Sequence, residues 1–303
     1  MFLKKPKDST DPALRSLVQK AARRGFGATV ETVARRLFEI GDRTWLRSRA
    51  VVITFEECWP LAHTLTLERG AESKIAALLK VTNAVKQKDA IGLGAMAYAY
   101  HEGDQSVVED LDSPTPVRIV SEALTRPPAF FEWALSQKMN PDQERVVKAA
   151  KAYLAAATWG WDKTCILAGA YFAATRDLPE VRLAPPLTEK HFPYWVALDK
   201  HTPQGKATLH RVAKEFEVSY RQLIWAGFYF ESAKVNALEV SPWWEAERSW
   251  RLRKAGLTLD SATALWDRIR PTLELEIAPE AAKLRMVAEV GSTGQTEIFA
   301  PAA

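Results

Sequence analysis

Cysteine is nearly absent from the sequence. Cys58 and Cys165 are its two thiols, too few for a disulfide-stapled secreted scaffold. Both sit inside apolar helical patterns, so two buried thiols in a reducing compartment are the expectation. No run of about 18 apolar residues occurs, which excludes a membrane-spanning helix. The opening MFLKKPKDST lacks the apolar stretch of a secretory signal. Cytoplasmic residence without membrane contact is expected. Strand patterns are scarce too: Val51-Val52-Ile53-Thr54 is β-prone by composition, but its flanks continue a helical period and it reads as helix.

The motifs of several chemistries are also missing. The one Gly-Lys pair, Gly205-Lys206, has Lys200 where a phosphate loop needs glycine and Ala207 where it needs Ser or Thr. No GxSxG elbow occurs. Glu56, Glu57, Cys58 and His63 are the nearest approach to a metal cluster, without a second well-spaced ligand pair. Neither a cofactor nor a metal is expected. Asp199-Lys200-His201-Thr202 leaves two readings open. In one, His201 is a base oriented by Asp199, with Lys206 nearby, in an enzyme acting on nucleic acid. In the other, Asp199 and Thr202 bond local amides in a turn.

What is present is a core. Apolar residues make up 47% of the 303, and there are 11 Trp. That is enough to bury one large or two ordinary domains. Caps and breakers divide the chain into helices. Asp11, Pro12 and Gly25 bound a helix over 12–24. Thr29 is a candidate cap for the next, which carries Val30, Val33, Ala34, Leu37 and Phe38 on one face and stops at Gly41. A third is expected over 44–64, tolerating or kinking at Pro60. Further patterns cover 68–82, 88–101, 115–125, 128–138, 141–158 and 159–176. After a proline-rich stretch, helices are expected over 206–217, 218–236, 242–255 and 260–269. The expectation is an all-α multi-helix bundle: a helical domain over 1–176 with a basic N-terminus, a loop-rich linker over 177–206, a helical subdomain over 207–276 and a loose tail over 277–303.

Charge is uneven. The net charge is +4. Residues 1–49 hold 12 Lys/Arg and 5 Asp/Glu, an excess of +7, which leaves −3 for the rest. A basic segment on a mildly acidic body points to a polyanion or an acidic partner surface. The segment over 34–59, ARRLFEIGDRTWLRSRAVVITFEECW, concentrates this pattern, with Arg35, Arg36, Arg43, Arg47 and Arg49 ahead of Glu56 and Glu57. Lys20, Arg23, Arg24, Arg35, Arg36, Arg43, Arg47 and Arg49 are the candidate nucleic-acid contacts. Trp243, Trp244 and Trp250 interleave with Arg248, Arg251 and Arg253. Such interleaving can stack bases, but the seven-residue spacing of Trp243 and Trp250 favours a core or subunit-interface role.

The same segment resembles the helical C-terminal region of the RarA/MgsA AAA+ ATPases, relatives of the clamp loaders. Arg24-Gly25 opens the pattern. Ala34-Arg35 and Leu37 match its A-R-x-L, Asp42 its turn aspartate, and Trp45-Leu46 its apolar pair. Arg49 matches its second arginine, Val51-Val52-Ile53 its apolar run, and Glu56-Glu57 stand at its Glu-Asp. Lys86–Ala90, Asp199–Lys206 and Phe228–Asn236 resemble further patches. Arg43 and Trp59 depart from the pattern, and the ATPase and lid domains have no counterpart. The resemblance implies a clamp-loader-collar-like bundle that does not hydrolyse ATP. It implies a DNA replication or repair accessory, a homo- or hetero-oligomer working with DNA, a separate AAA+ ATPase or single-strand-binding protein. It also implies that Val51-Val52-Ile53 are core and that Arg35 and Arg49 pair with Glu56 and Glu57. A protein-interaction scaffold without DNA binding is the remaining alternative.

Overall fold

The computed structural model describes residues 11–66, 70–187 and 192–290. It is all-α. The helices are α1 (Pro12–Arg24), α2 (Gly27–Glu39), α3 (Arg43–Cys58), α4 (Ala71–Asn83), α5 (Asp89–His101), α6 (Thr115–Thr125), α7 (Pro127–Ser136), α8 (Pro141–Tyr153), α9 (Gly160–Thr175), α10 (Pro203–Glu215), α11 (Tyr220–Gly227), α12 (Pro242–Lys254) and α13 (Leu259–Val290). Among the described residues, β pairing is confined to isolated bridges that tie Gln87, Ala84 and Lys86 to Cys58, Leu183 and Leu238.

The caps explain the boundaries. Asp11 Oδ1 accepts from the Ala13 and Leu14 amides at 2.9 and 3.1 Å, and Gly25 ends α1 at φ 86°, the left-handed geometry that glycine adopts without strain. Asn140 with Gln143, and Ser219 with Gln222, form capping boxes at the starts of α8 and α11. Thr29, the expected cap of α2, is instead buried inside it. The helix starts earlier, at Gly27, because the chain turns directly out of Gly25. Pro60 ends α3 at Cys58, and the chain tightens into a 3₁₀ segment over Trp59–Thr64.

α5 and α9 form the centre of the molecule. Both are apolar nearly all round, as buried helices are. They cross closely because Gly94 has no side chain: a Cβ there would lie 2.6 Å from the Cys165 backbone. Gly92 does the same for α12, where a Cβ would lie 2.4 Å from the Trp243 carbonyl carbon. Around this centre one apolar cluster gathers Phe55, Trp59, Phe130, Ile166, Trp244, Trp250 and Trp266. A second gathers Leu17, Val33, Leu37 and Leu78 from α1, α2 and α4 with Phe192, Val196, Ile277, Leu284 and Ala288.

The expected divisions at 176 and 207 do not coincide with these clusters. Val196 and Ala197, from the proline-rich stretch, are buried in the N-terminal cluster, and α10 already begins at Pro203. The stretch 277–290 is not a loose tail. It continues α13 through Pro271 and Pro279 and buries Ile277, Leu284 and Ala288. Residues 291–303 and 1–10 lie outside the described residues. Cys58 and Cys165 are both buried and unbonded. No described helix is long and apolar enough to cross a membrane.

Candidate functional site

Glu56 and Glu57 follow one another on α3, and both are buried. Burying a carboxylate is costly unless cations and hydrogen bonds compensate, and each has found them. Glu57 accepts from Arg23 Nε of α1 at 2.5 Å and from Lys88 Nζ, ahead of α5, at 2.9 Å. Burial alone would raise its pKa, but the Arg23 guanidinium and the Lys88 ammonium outweigh it and hold the carboxyl down to about 2. Glu56 accepts from Arg49, two turns earlier on α3, at 2.9 Å. Its Oε2 has no hydrogen-bond donor, and Arg23 stands 3.8 Å away. Burial pushes this carboxyl up, against the pull of Arg49 and Arg23. Arg49 also donates to both oxygens of Asp162 on α9, at 3.1 and 3.0 Å, and to Gln19 Oε1 at 2.8 Å.

Two more buried pairs flank this network. Lys20 bonds Asp199 at 2.5 Å, and Arg24 bonds Glu231 at 2.5 Å. Lys20, Arg23, Arg24, Arg49 and Lys88 therefore face five carboxylates: Glu56, Glu57, Asp162, Asp199 and Glu231. The network neutralises itself. Lys20, Arg23, Arg24 and Arg49 each reach a carboxylate from outside residues 1–49, which cuts the apparent excess there from +7 to +3.

These positions change the reading of the candidate nucleic-acid contacts. Lys20, Arg23, Arg24 and Arg49 are enclosed in ion pairs, and a phosphate cannot reach them without breaking those pairs. Arg35 is exposed but bridges Glu31 and Glu72 at 2.8 and 2.6 Å, not Glu56 or Glu57. Arg36 pairs with Glu39 at 3.3 Å. Arg43 lies over the Phe38 ring at 4.4 Å. Arg47 is exposed and has no ion pair among the described residues.

The enzyme constellation does not assemble. Asp199 Oδ1 accepts the His201 backbone amide at 2.9 Å and Oδ2 holds Lys20, so the carboxylate makes a turn and an ion pair and does not orient the imidazole. Thr202 Oγ1 donates to the Asp199 carbonyl and accepts from the Gly205 amide, capping α10. Lys206 is exposed on the first turn of α10. The residues weighed as metal ligands are committed elsewhere. Glu56 and Glu57 face cations, His63 Nδ1 lies 2.7 Å from the Pro60 carbonyl, and burial pushes the Cys58 thiol up to about 12, keeping it protonated.

Trp244 and Trp250 are buried in the central cluster, with the Trp250 indole N–H donating to Ser106 Oγ at 3.1 Å. Trp243 is half-buried, and its amide donates to Asp89 at 3.1 Å. A more open aromatic strip lies beside them. The Arg251 guanidinium stands over Trp161 at 5.1 Å and over Trp225 at 4.7 Å. On Trp225 a second cation, Lys200 Nζ, sits 4.6 Å from the ring centroid, and also 5.6 Å from Phe228. Trp161, Trp225, Lys200 and Arg251 are half-buried, while the neighbouring His201 is exposed. Beneath the strip, Glu247 accepts from Arg251 Nε at 3.1 Å and from the Tyr229 hydroxyl at 2.7 Å, which fixes the guanidinium plane. Burial pushes the Glu247 carboxyl up, and Arg251 opposes it.

Sequence reasoning passed over Trp161 and Trp225 and read Lys200 only as part of the Asp199–Thr202 motif, because the three come from separate stretches and share no motif. One local signal was available, the i, i+4 pair of Glu247 and Arg251. No family model matches the chain, and no curated protein and no solved structure matches it.

Proposed function

We propose that the chain is a non-catalytic helical module of DNA metabolism that holds single-stranded nucleic acid on the strip formed by Trp161, Arg251, Trp225 and Lys200. The flanking of the half-open Trp225 by two cations carries this reading. Aromatic faces stack bases without regard to sequence; Arg251 is paired with Glu247 and holds the edge of the strip, so the contact with the backbone falls to Lys200. Lys200 makes no ion pair among the described residues, so its charge is free to meet a phosphate. The resemblance of 34–59 to the RarA/MgsA helical region supports a setting in replication or repair, beside a separate AAA+ ATPase or a single-strand-binding protein, and as part of an oligomer.

Fluorescence anisotropy of a labelled oligothymidine, titrated with the full chain at two salt concentrations, tests the reading. Log affinity is expected to fall with log salt by about 0.7 per phosphate contacted. Trp225→Ala is expected to cost about 1–3 kcal/mol, the usual worth of a stacked base. Lys200→Glu, which leaves the core intact, should weaken binding and flatten the salt slope. Arg35→Glu with Arg36→Glu should leave affinity within about twofold, since both residues lie on α2 outside the strip and already face the carboxylates of Glu31, Glu72 and Glu39. Salt-independent binding, or binding indifferent to Trp225 and Lys200, defeats the proposal. Absence of binding to single- and double-stranded DNA at low salt leaves the protein-interaction scaffold in its place.

A further inference from the structure

We infer that the trough at the C-terminal end of α9 docks an extended protein segment that carries a lysine or arginine. The trough has a volume of about 640 Å³ and runs between the stretch after α9 and the stretch before α12, with the buried Gln87 and Asp89 at its base. It is a site apart from the strip. Trp161 stands on the first turn of α9 and Arg176 follows its last, and the 16 residues between those ends span about 24 Å of helix.

The charges that line the trough do not cancel. Arg176 donates to Asp89 at 3.0 Å, and Asp89 also accepts the Trp243 amide at 3.1 Å. Arg182 Nε donates to Glu239 at 2.8 Å. Asp177 and Glu180 line the same trough, are exposed, and make no ion pair among the described residues. Two negative charges are left without a partner. A neutral group points the same way. Gln87 is 5% exposed, and its Nε2 donates to the Glu180 carbonyl at 3.1 Å. Its Oε1 accepts nothing from the described residues and is not sealed in, so it opens on the trough. A fixed acceptor beside two carboxylates matches a cation with several N–H donors, the head of a lysine or arginine.

The main chain supplies the other half of the site. The extended stretch over 237–239 pairs with Lys86, whose N–H donates to the Ala237 carbonyl and whose carbonyl accepts the Glu239 N–H, both at 2.8 Å. Alternation turns the N–H and C=O groups of Leu238 and Val240 the other way, where no backbone partner meets them among the described residues. Their side chains are bare too: Leu238 is 38% exposed, and Val240, which lines the trough, is 91% exposed. An open edge with exposed apolar side chains is a template for an added strand. The edge holds an extended main chain and the trough holds its basic side chain, a combination that a free polyamine does not use.

Fluorescence anisotropy of a labelled peptide of alternating valine and arginine, titrated with the full chain, tests the site, with the matching valine–glutamate peptide as control. The arginine peptide is expected to bind, and the glutamate peptide to bind at least about tenfold more weakly. Asp177→Asn with Glu180→Gln, both on exposed side chains, should weaken the arginine peptide about tenfold. Val240→Pro deletes an outward N–H at an edge position, where proline is tolerated. It should weaken the peptide about fivefold with the helical circular-dichroism signal unchanged. Glu132→Gln, which removes an exposed acid on α7, should leave affinity within about twofold. No binding of the arginine peptide, equal binding of the glutamate peptide, or indifference to either the carboxamide pair or Val240→Pro overturns the docking site. The strip is judged separately. Oligothymidine binding without peptide binding removes the trough and leaves the strip, and peptide binding without oligothymidine binding does the reverse.

Discussion

Glu57 sets the energetics of the interior. A carboxylate 1% exposed persists in ionised form because Arg23 and Lys88 both reach it, and removing one partner from such a group costs far more than an exposed pair is worth. Lys88→Met is expected to destabilise the fold by about 3–5 kcal/mol, read as a shift in the urea midpoint at unchanged slope. The pH dependence follows from the same residue. Its carboxyl sits at about 2 in the folded chain against an ordinary 4.5. A depressed acid stabilises above its unfolded pKa and loses that contribution as pH falls through its folded one. The stability it supplies is thus complete above about pH 4.5 and fades towards pH 2, a span worth about 3 kcal/mol. In Glu57→Gln, stability between pH 5 and 2 should change less steeply than in the parent chain. An unchanged slope would show that other carboxylates govern acid unfolding.

Among the helices, α13 departs furthest from expectation. Pro271 and Pro279 each delete an N–H from the helical ladder. Both prolines are exposed, and the carbonyls they orphan belong to Asp267 and Leu275, also exposed, so water can satisfy them and the helix runs on. The buried side of that last stretch can be weighed directly. Leu284→Ala removes a side chain 6% exposed that packs in the N-terminal cluster, and a loss of about 2–4 kcal/mol is expected in denaturant titration. A residue on a loose tail would change stability by less than about 0.5 kcal/mol. What was legible in the sequence was local. Asp11-Pro12 and Gly25, the apolar face of α2, and the starts at Asn140-Pro141 and Ser241-Pro242 all lie within a turn or two of the boundaries they set. What was illegible was distant. Arg23 meets Glu57 across 34 positions and Lys20 meets Asp199 across 179, and a lone arginine in a sequence looks the same on a surface as in a buried pair. The strip had no local signature beyond the i, i+4 pair of Glu247 and Arg251, since Trp161, Lys200, Trp225 and Arg251 come from four separate elements or turns.

At the scale of the whole molecule, the two apolar clusters share helices. α3 sends Val51, Val52 and Phe55 into one and Ala50, Ile53 and Cys58 into the other, and α13 is divided in the same way, with Ile269 and Leu273 in the first and Ile277 and Leu284 in the second. One cluster cannot melt without stripping a face from helices that hold the other. A single cooperative transition is expected, with equal calorimetric and van't Hoff enthalpies. Two resolved peaks would mean that the clusters unfold independently. The ionic network joins distant parts of the chain in the same way, and this bears on how the protein is dissected. A fragment ending before residue 199 would keep Lys20 and Arg24 but lose Asp199 and Glu231, the carboxylates that occupy them. Such a fragment keeps the whole chain's net charge of +4 but bares two cations that the intact protein keeps inside, and these are then open to DNA. Deletion mapping would then credit the N-terminus with an affinity created by the cut, whereas point variants in the full chain leave that internal neutralisation in place.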